Sequence, residues 1–110
     1  MAKRFQLDTG GTLTTGLLSC YKLRTNANDF YSTRNLTPAG NITFSNGAVL
    51  DGTDDYLDGG DVLDFANTNS FSISLWVKRA AITAAMAMVS KFNDVTSNGY
   101  IIYFTSGDTV

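Results

Sequence analysis

The sequence predicts an all-β fold, an antiparallel β-sandwich of the jelly-roll type. Thr, Ser, Asn and Gly are abundant, whereas Pro occurs once and Glu is absent, a composition that favours strands and turns over helices. Several short segments alternate apolar and polar residues with a period of two, and Gly or Asn turns separate them. Regularly spaced strands of this kind are typical of sandwiches and jelly rolls.

The first half of the chain contains three predicted strands. "GLLSCYKL" at 16–23 alternates as a buried or half-buried strand, and the polar segment 24–38 follows it as a long, partly packed loop. "NITF" at 41–44 and "AVL" at 48–50 flank the turn "SNG", which predicts a hairpin.

The second half contains the clearest strand, "SFSISLWVK" at 70–78. Phe71, Ile73, Leu75 and Val77 alternate with serines and Trp76, so the first set is expected to face a core. "MAMVSKF" at 86–92 and "GYIIYFTS" at 99–106 predict two more strands joined by the turn "NDVTSNG".

Length and charge limit the domain organisation and the partners. A chain of 110 residues supports one modest core, which predicts an N-terminal arm at 1–15 and one sandwich domain at 16–110. A net charge of -2 with scattered Lys and Arg argues against nucleic acid as a partner. No apolar stretch reaches the about 20 residues that a membrane-spanning helix needs, so membrane insertion is not expected, and no secretory signal is visible.

The residues available for proton chemistry argue against an enzyme. All ten acidic residues are Asp, and the chain has no His, which excludes a Ser-His-Asp arrangement and His-containing zinc sites within it. The single cysteine, Cys20, cannot form an internal disulfide and is interpreted as a buried thiol.

The order of "GLLSCYKL", "AVLDGTDDYLD", "SFSISLWVK", "MVSKFND" and "GYIIYFTSG" resembles the laminin-G-like jelly rolls of the concanavalin A-like lectin and glucanase superfamily. The resemblance covers most of the chain from Gly16 onward, with Leu50 where the family usually has Phe. It implies glycans or cell-surface carbohydrate as the ligand class. The second half of the usual domain is not visible, so we expect the sandwich to be completed by further residues or by neighbouring subunits. The strand at 99–106 should then be paired on both sides or covered.

The acidic segment "DGTDD" at 51–55 has three interpretations. Asp51 and Gly52 suit a tight turn between two strands. Calcium prefers several oxygen ligands, which makes Asp51, Asp54, Asp55 and Asp58 a candidate cation site, although the EF-hand pattern fails. A catalytic carboxylate pair is the third; sugar-cleaving members of the resembled superfamily use Glu, which this chain lacks. No cofactor other than this calcium is expected.

Trp76, Tyr56, Asp54 and Asp55 are the candidate ligand-binding residues. Trp76 lies opposite the apolar face of its strand, where its ring can stack on a sugar or pack in a second core. The leading expectation is a non-catalytic recognition or adhesion module that binds glycans and works outside the cell or on a virion surface. The alternative is a structural or decoration subunit of a virion, a phage tail or an extracellular assembly.

Overall fold

The computed structural model describes residues 15–81, 83–93 and 98–107. These residues contain strands and no helix, and every strand pair is antiparallel, so the all-β prediction is confirmed. Among them, no helix has the length and apolar character that crossing a membrane requires. The strands are β1 (Thr37–Ala39), β2 (Thr43–Phe44), β3 (Ala48–Val49), β4 (Tyr56–Asp58), β5 (Met86–Asn93) and β6 (Asn98–Phe104).

The strands form three sheets of two strands each, β1–β4, β2–β3 and β5–β6. The chain divides into two compact units at 1–64 and 65–110, and the first two sheets belong to the first unit. The predicted arm at 1–15 lies outside the described residues except for its last residue.

The hairpin predicted around "SNG" is confirmed. Thr43 pairs with Val49 and Phe44 with Ala48, and the Ser45 amide donates to the Gly47 carbonyl at 3.0 Å. The turn needs a left-handed residue, and Asn46 fills that place with φ of 59°, a conformation that Asn tolerates better than most residues.

The β1–β4 pair joins two segments that are distant in sequence. Pro38 lies opposite Leu57, and Ala39 lies opposite Tyr56. The sequence interpretation assigned Thr37 and Pro38 to the loop at 24–38 because that segment is polar, and a proline cannot donate a hydrogen bond to a sheet. In a two-stranded sheet β1 has only one neighbour, so the missing N–H of Pro38 costs little there.

The prediction of a regular strand at 16–23 is wrong. The described part of this segment forms a single bridge, between Tyr21 and Asp29, and Leu23 has a left-handed φ of 51° that interrupts an extended chain. The Cys20 amide donates to the Asp29 side chain, so a carboxylate takes the place of a partner strand. Segment 24–36 is a loop as predicted, and its Ala27 is the one buried apolar residue among those described.

The second unit is organised by the β5–β6 hairpin, which confirms the strands predicted at 86–92 and 99–106. The register runs from Met86 opposite Phe104 to Asn93 opposite Asn98, with an irregularity between Ala87 and Val89. Residues 94–97 of the predicted connecting turn lie outside the described residues.

The strongest predicted strand, 70–78, has no strand partner among the described residues. Phe71, Ile73, Leu75 and Val77 are all exposed, so the prediction that they face a core is wrong for this chain. A period of two specifies two faces of a strand, but burial also needs a second layer, and the contacts that the described residues make with this face leave all four side chains exposed. The strand at 99–106 was expected to be paired on both sides or covered. Among the described residues its sheet contains β5 and β6 alone, and none of its residues is fully buried, so neither expectation is met.

Candidate functional site

The acidic segment 51–55 is a turn, as the first interpretation predicted. The Asp51 carboxylate accepts hydrogen bonds from the backbone amides of Thr53 at 2.7 Å and Asp54 at 3.4 Å. Gly52 has a left-handed φ of 79°, which glycine adopts without steric cost. The side chain of Asp51 therefore stabilises the turn through local hydrogen bonds, and the turn connects β3 to β4 along the chain.

Asp55 connects this turn to a second part of the chain. One of its carboxylate oxygens accepts the Asn41 amide at 2.6 Å, and the other accepts the Asp51 amide at 2.9 Å. The β1–β4 pairing makes this contact, since it places the residues after Ala39 beside those before Tyr56. A Cβ on Gly40 would collide with the same carboxylate, so Asp55 and a glycine at position 40 fit each other closely.

Three of the four aspartates predicted as a cation site lie together. Oxygens of Asp51, Asp54 and Asp55 all fall within 4.8 Å of one another, with Asp51 and Asp54 exposed and Asp55 half-buried. Asp58 does not belong to this group, and its carboxylate instead accepts the Gly60 amide at 2.8 Å. Two of the three grouped carboxylates already accept amides of the turn, so the turn geometry by itself accounts for their positions. Calcium at this turn stays a prediction.

Tyr56 follows the acidic turn directly as the first residue of β4. Its side chain is exposed although it is paired through its backbone with Ala39. An exposed aromatic ring offers an apolar surface, and the carboxylates that precede it in the sequence offer hydrogen-bond acceptors. We call these three consecutive candidate residues, Asp54, Asp55 and Tyr56, the acidic turn surface.

Trp76 belongs to the second unit and is fully exposed, with a relative accessibility of 101%. It forms no hydrogen bond or ring contact with any of the described residues. The alternative that packed this indole in a second core is wrong for this chain. Stacking of the exposed ring on a ligand stays a prediction.

The residue that sequence reasoning missed is Asp29, the one buried charged residue among those described. One carboxylate oxygen accepts the amides of Cys20, Tyr31 and Ser32 at 2.9–3.0 Å, and the other accepts the Ser32 hydroxyl. Burial raises the pKa of Asp29, but the hydrogen bonds from the Ser32 hydroxyl and the three amides outweigh it and hold the pKa well below its usual range. The carboxyl is therefore an acceptor at neutral pH and not a proton donor.

A signal for Asp29 was present in the sequence. In "DFYS" an Asp precedes a Ser by three residues, the spacing at which an Asp side chain organises a local turn. The contact with Cys20, nine residues away, has no such local signature.

No protein-family model, no curated protein and no solved structure matches this chain. The resemblance to laminin-G-like jelly rolls therefore rests on the sequence motifs alone.

Proposed function

We propose that this chain is a non-catalytic recognition module that binds carbohydrate through exposed aromatic rings. In this proposal it belongs to a jelly-roll β-sandwich of the laminin-G-like type and works outside the cell or on a virion surface, where glycans are met. The observation that carries the proposal is the complete exposure of Trp76.

Covering an exposed aromatic side chain with an apolar ligand surface is favourable. Burying a whole Trp removes about 200 Å² from water, or about 5 kcal/mol at 25 cal/mol per Å². A sugar ring stacked on one face of the indole covers less than half of that surface, so about 2 kcal/mol is available to a complex. This amount suits the weak, reversible binding of a recognition module.

The acidic turn surface supports the same ligand class independently. Sugars present hydroxyl donors around a ring whose C–H face is apolar, and Tyr56 with the adjacent carboxylates offers the complementary groups. Trp76 and Tyr56 lie in different units, so each is treated as a separate contact.

The residue composition supports the non-catalytic part of the proposal. The chain has neither Glu nor His, and the aspartate with a shifted pKa, Asp29, is held in its charged form by its hydrogen bonds. A glycosidase needs one carboxyl with a raised pKa beside a second carboxylate, and the charged, hydrogen-bonded Asp29 does not fit the first role.

The proposal is tested by screening the protein on a glycan array and measuring the best ligand by titration calorimetry. Trp76→Ala is expected to weaken binding by about 30-fold, the equivalent of about 2 kcal/mol, whereas Trp76→Phe retains most of it. Tyr103→Ala, which truncates another exposed aromatic residue of the same unit, serves as the matched control and should leave binding unchanged. An array without binding, or turnover of any bound glycan, would contradict the proposal.

A second candidate function is a structural or decoration subunit of a virion, a phage tail or an extracellular assembly. The exposed, unpaired segment 70–78 favours it, because a strand with free backbone groups is a site where protein subunits join. In that case the binding partners are neighbouring protein subunits and the array is negative. The two candidates are separated by whether the protein binds a glycan on the array, with loss of binding in Trp76→Ala, or binds no glycan and assembles with protein subunits.

A further inference from the structure

We infer that residues 70–78 form an interface between two copies of this chain, by antiparallel pairing of the segment with itself about a two-fold axis through Ser74. The inference goes beyond carbohydrate recognition and does not depend on it. It starts from the backbone of the segment, which we call the open strand.

The open strand is a continuous segment that lacks a strand's hydrogen bonds. No turn or bend interrupts residues 71–79, and none of them has a left-handed φ. The backbone groups of 71–78 form no hydrogen bond with any described residue. Such a row of unpaired donors and acceptors is a template for a strand from another chain.

Side-chain contacts hold the open strand in place at both ends. Phe71 stacks on Phe65 with centroids 4.3 Å apart and contacts the ring of Tyr100 on β6 at 5.0 Å. At the other end the guanidinium of Arg79 lies 4.5 Å from the centre of the Phe104 ring. Because these anchors restrict the segment before a partner arrives, less conformational entropy is lost when it pairs.

The sequence of the open strand selects a second copy of itself as the partner. Antiparallel pairing centred on Ser74 places Phe71 opposite Val77 and Ile73 opposite Leu75, so each of the four apolar residues meets another of the four. Centring on Ile73 would place Val77 opposite Asn69, and centring on Leu75 would place Phe71 opposite Arg79. A shift by one residue would mix the apolar and serine faces.

Charge favours the antiparallel arrangement over a parallel one. Lys78 is the one charged residue of the segment 70–78. A parallel, in-register pair would bring the two Lys78 side chains together, whereas the antiparallel pair places each Lys78 opposite Ser70. An interface with two-fold symmetry joins two copies and is filled by them.

The pairing leaves Trp76 available. Its ring is on the serine face of the open strand, opposite Ser72 of the second copy. The two indoles would lie about 14 Å apart along one face, four residues at 3.4 Å each.

The arrangement is tested by cross-linking in a Cys20→Ser background, which removes the native thiol. With Ser74→Cys, the thiols of two copies meet on the axis and should form an intermolecular disulfide in mild oxidant. Ser72→Cys is the matched control on the same face, and its two thiols would be about 14 Å apart, too far to join. Cross-linking by both variants would indicate parallel pairing, and cross-linking by neither would indicate no pairing; each outcome overturns the inference.

A second measurement tests the dimer without cysteine substitutions or oxidant. Sedimentation velocity of the unmodified chain should give twice the mass of one copy, and hydrogen exchange should show protected amides within 71–78. Ile73→Asp should give a folded monomer, because Ile73 is exposed within one copy, and Ser72→Asp on the opposite face should remain a dimer. A monomer at every concentration with freely exchanging amides in 71–78, or an open-ended series of oligomers, would overturn the inference.

Discussion

Asp29 organises the loop 18–36, and removing its carboxylate is the perturbation whose effect the structure defines best. Three amides and one hydroxyl, from Cys20, Tyr31 and Ser32, donate to its two oxygens. Asp29→Ala deletes all four acceptor contacts at once. The three amides lie in an irregular segment, where no strand neighbour is at hand to replace the acceptor.

The magnitude follows from those amides. A partly buried donor that loses its partner costs about 1 kcal/mol, so three cost about 3 kcal/mol. A small domain has about 5–15 kcal/mol in total, and a loss of this size lowers its melting temperature by more than about 10 °C. Asp29→Asn keeps one oxygen acceptor and loses the charge, so we expect about 1–2 kcal/mol, because charge-assisted hydrogen bonds are about twice as strong as neutral ones.

The pH dependence provides an independent check on the charge. The folded-state pKa of Asp29 lies well below the unfolded value of about 3.9, so its stabilisation is complete above that value and is lost as the pH falls through the folded-state pKa. The stability difference between the unmodified chain and Asp29→Asn should therefore be largest at neutral pH. It should shrink as the pH falls below about 4.

The assay is urea unfolding followed by circular dichroism, from neutral pH down to strongly acidic pH. Asp54→Asn is the matched control, since Asp54 is exposed, and should change the free energy of unfolding by less than about 0.5 kcal/mol. An Asp29→Ala variant as stable as the control would refute the assignment of Asp29 as the organiser of this loop.

Two further predictions concern the acidic turn. If calcium binds there, calcium at one hundred times its Kd raises the free energy of unfolding by about 2.7 kcal/mol. EDTA should reverse this gain, and Asp54→Asn should abolish it. A melting temperature that is unchanged by both calcium and EDTA would show that calcium does not bind at this turn. Gly40→Ala should destabilise the chain by about 1–3 kcal/mol because φ is 81° at Gly40 and the new Cβ would collide with Asp55, whereas Gly47→Ala, with open space around it, should be tolerated. Equal melting temperatures for these two alanine variants would show that Asp55 does not need the glycine.

Local chemistry made part of this fold predictable from the sequence. The hairpin around Asn46 and the turn at Asp51 and Gly52 follow from residues that stabilise turns through their own side chains or through a left-handed backbone. The strands β5 and β6 follow from apolar residues repeated with a period of two and a connection of a few residues, which makes them neighbours in space. For the same reason, Asp51 could be placed in a turn before its contacts were known.

The pairings between distant segments were decided by the tertiary structure alone. Pro38 opposite Leu57 and Cys20 beside Asp29 join residues that no local pattern connects. The open strand shows most clearly what periodicity does not predict. The alternation at 70–78 specified which residues share a face, but that face is exposed in the structure. Periodicity describes the two sides of a strand, whereas its hydrogen-bond partners and the layer that covers it are supplied by other parts of a chain, or by another chain.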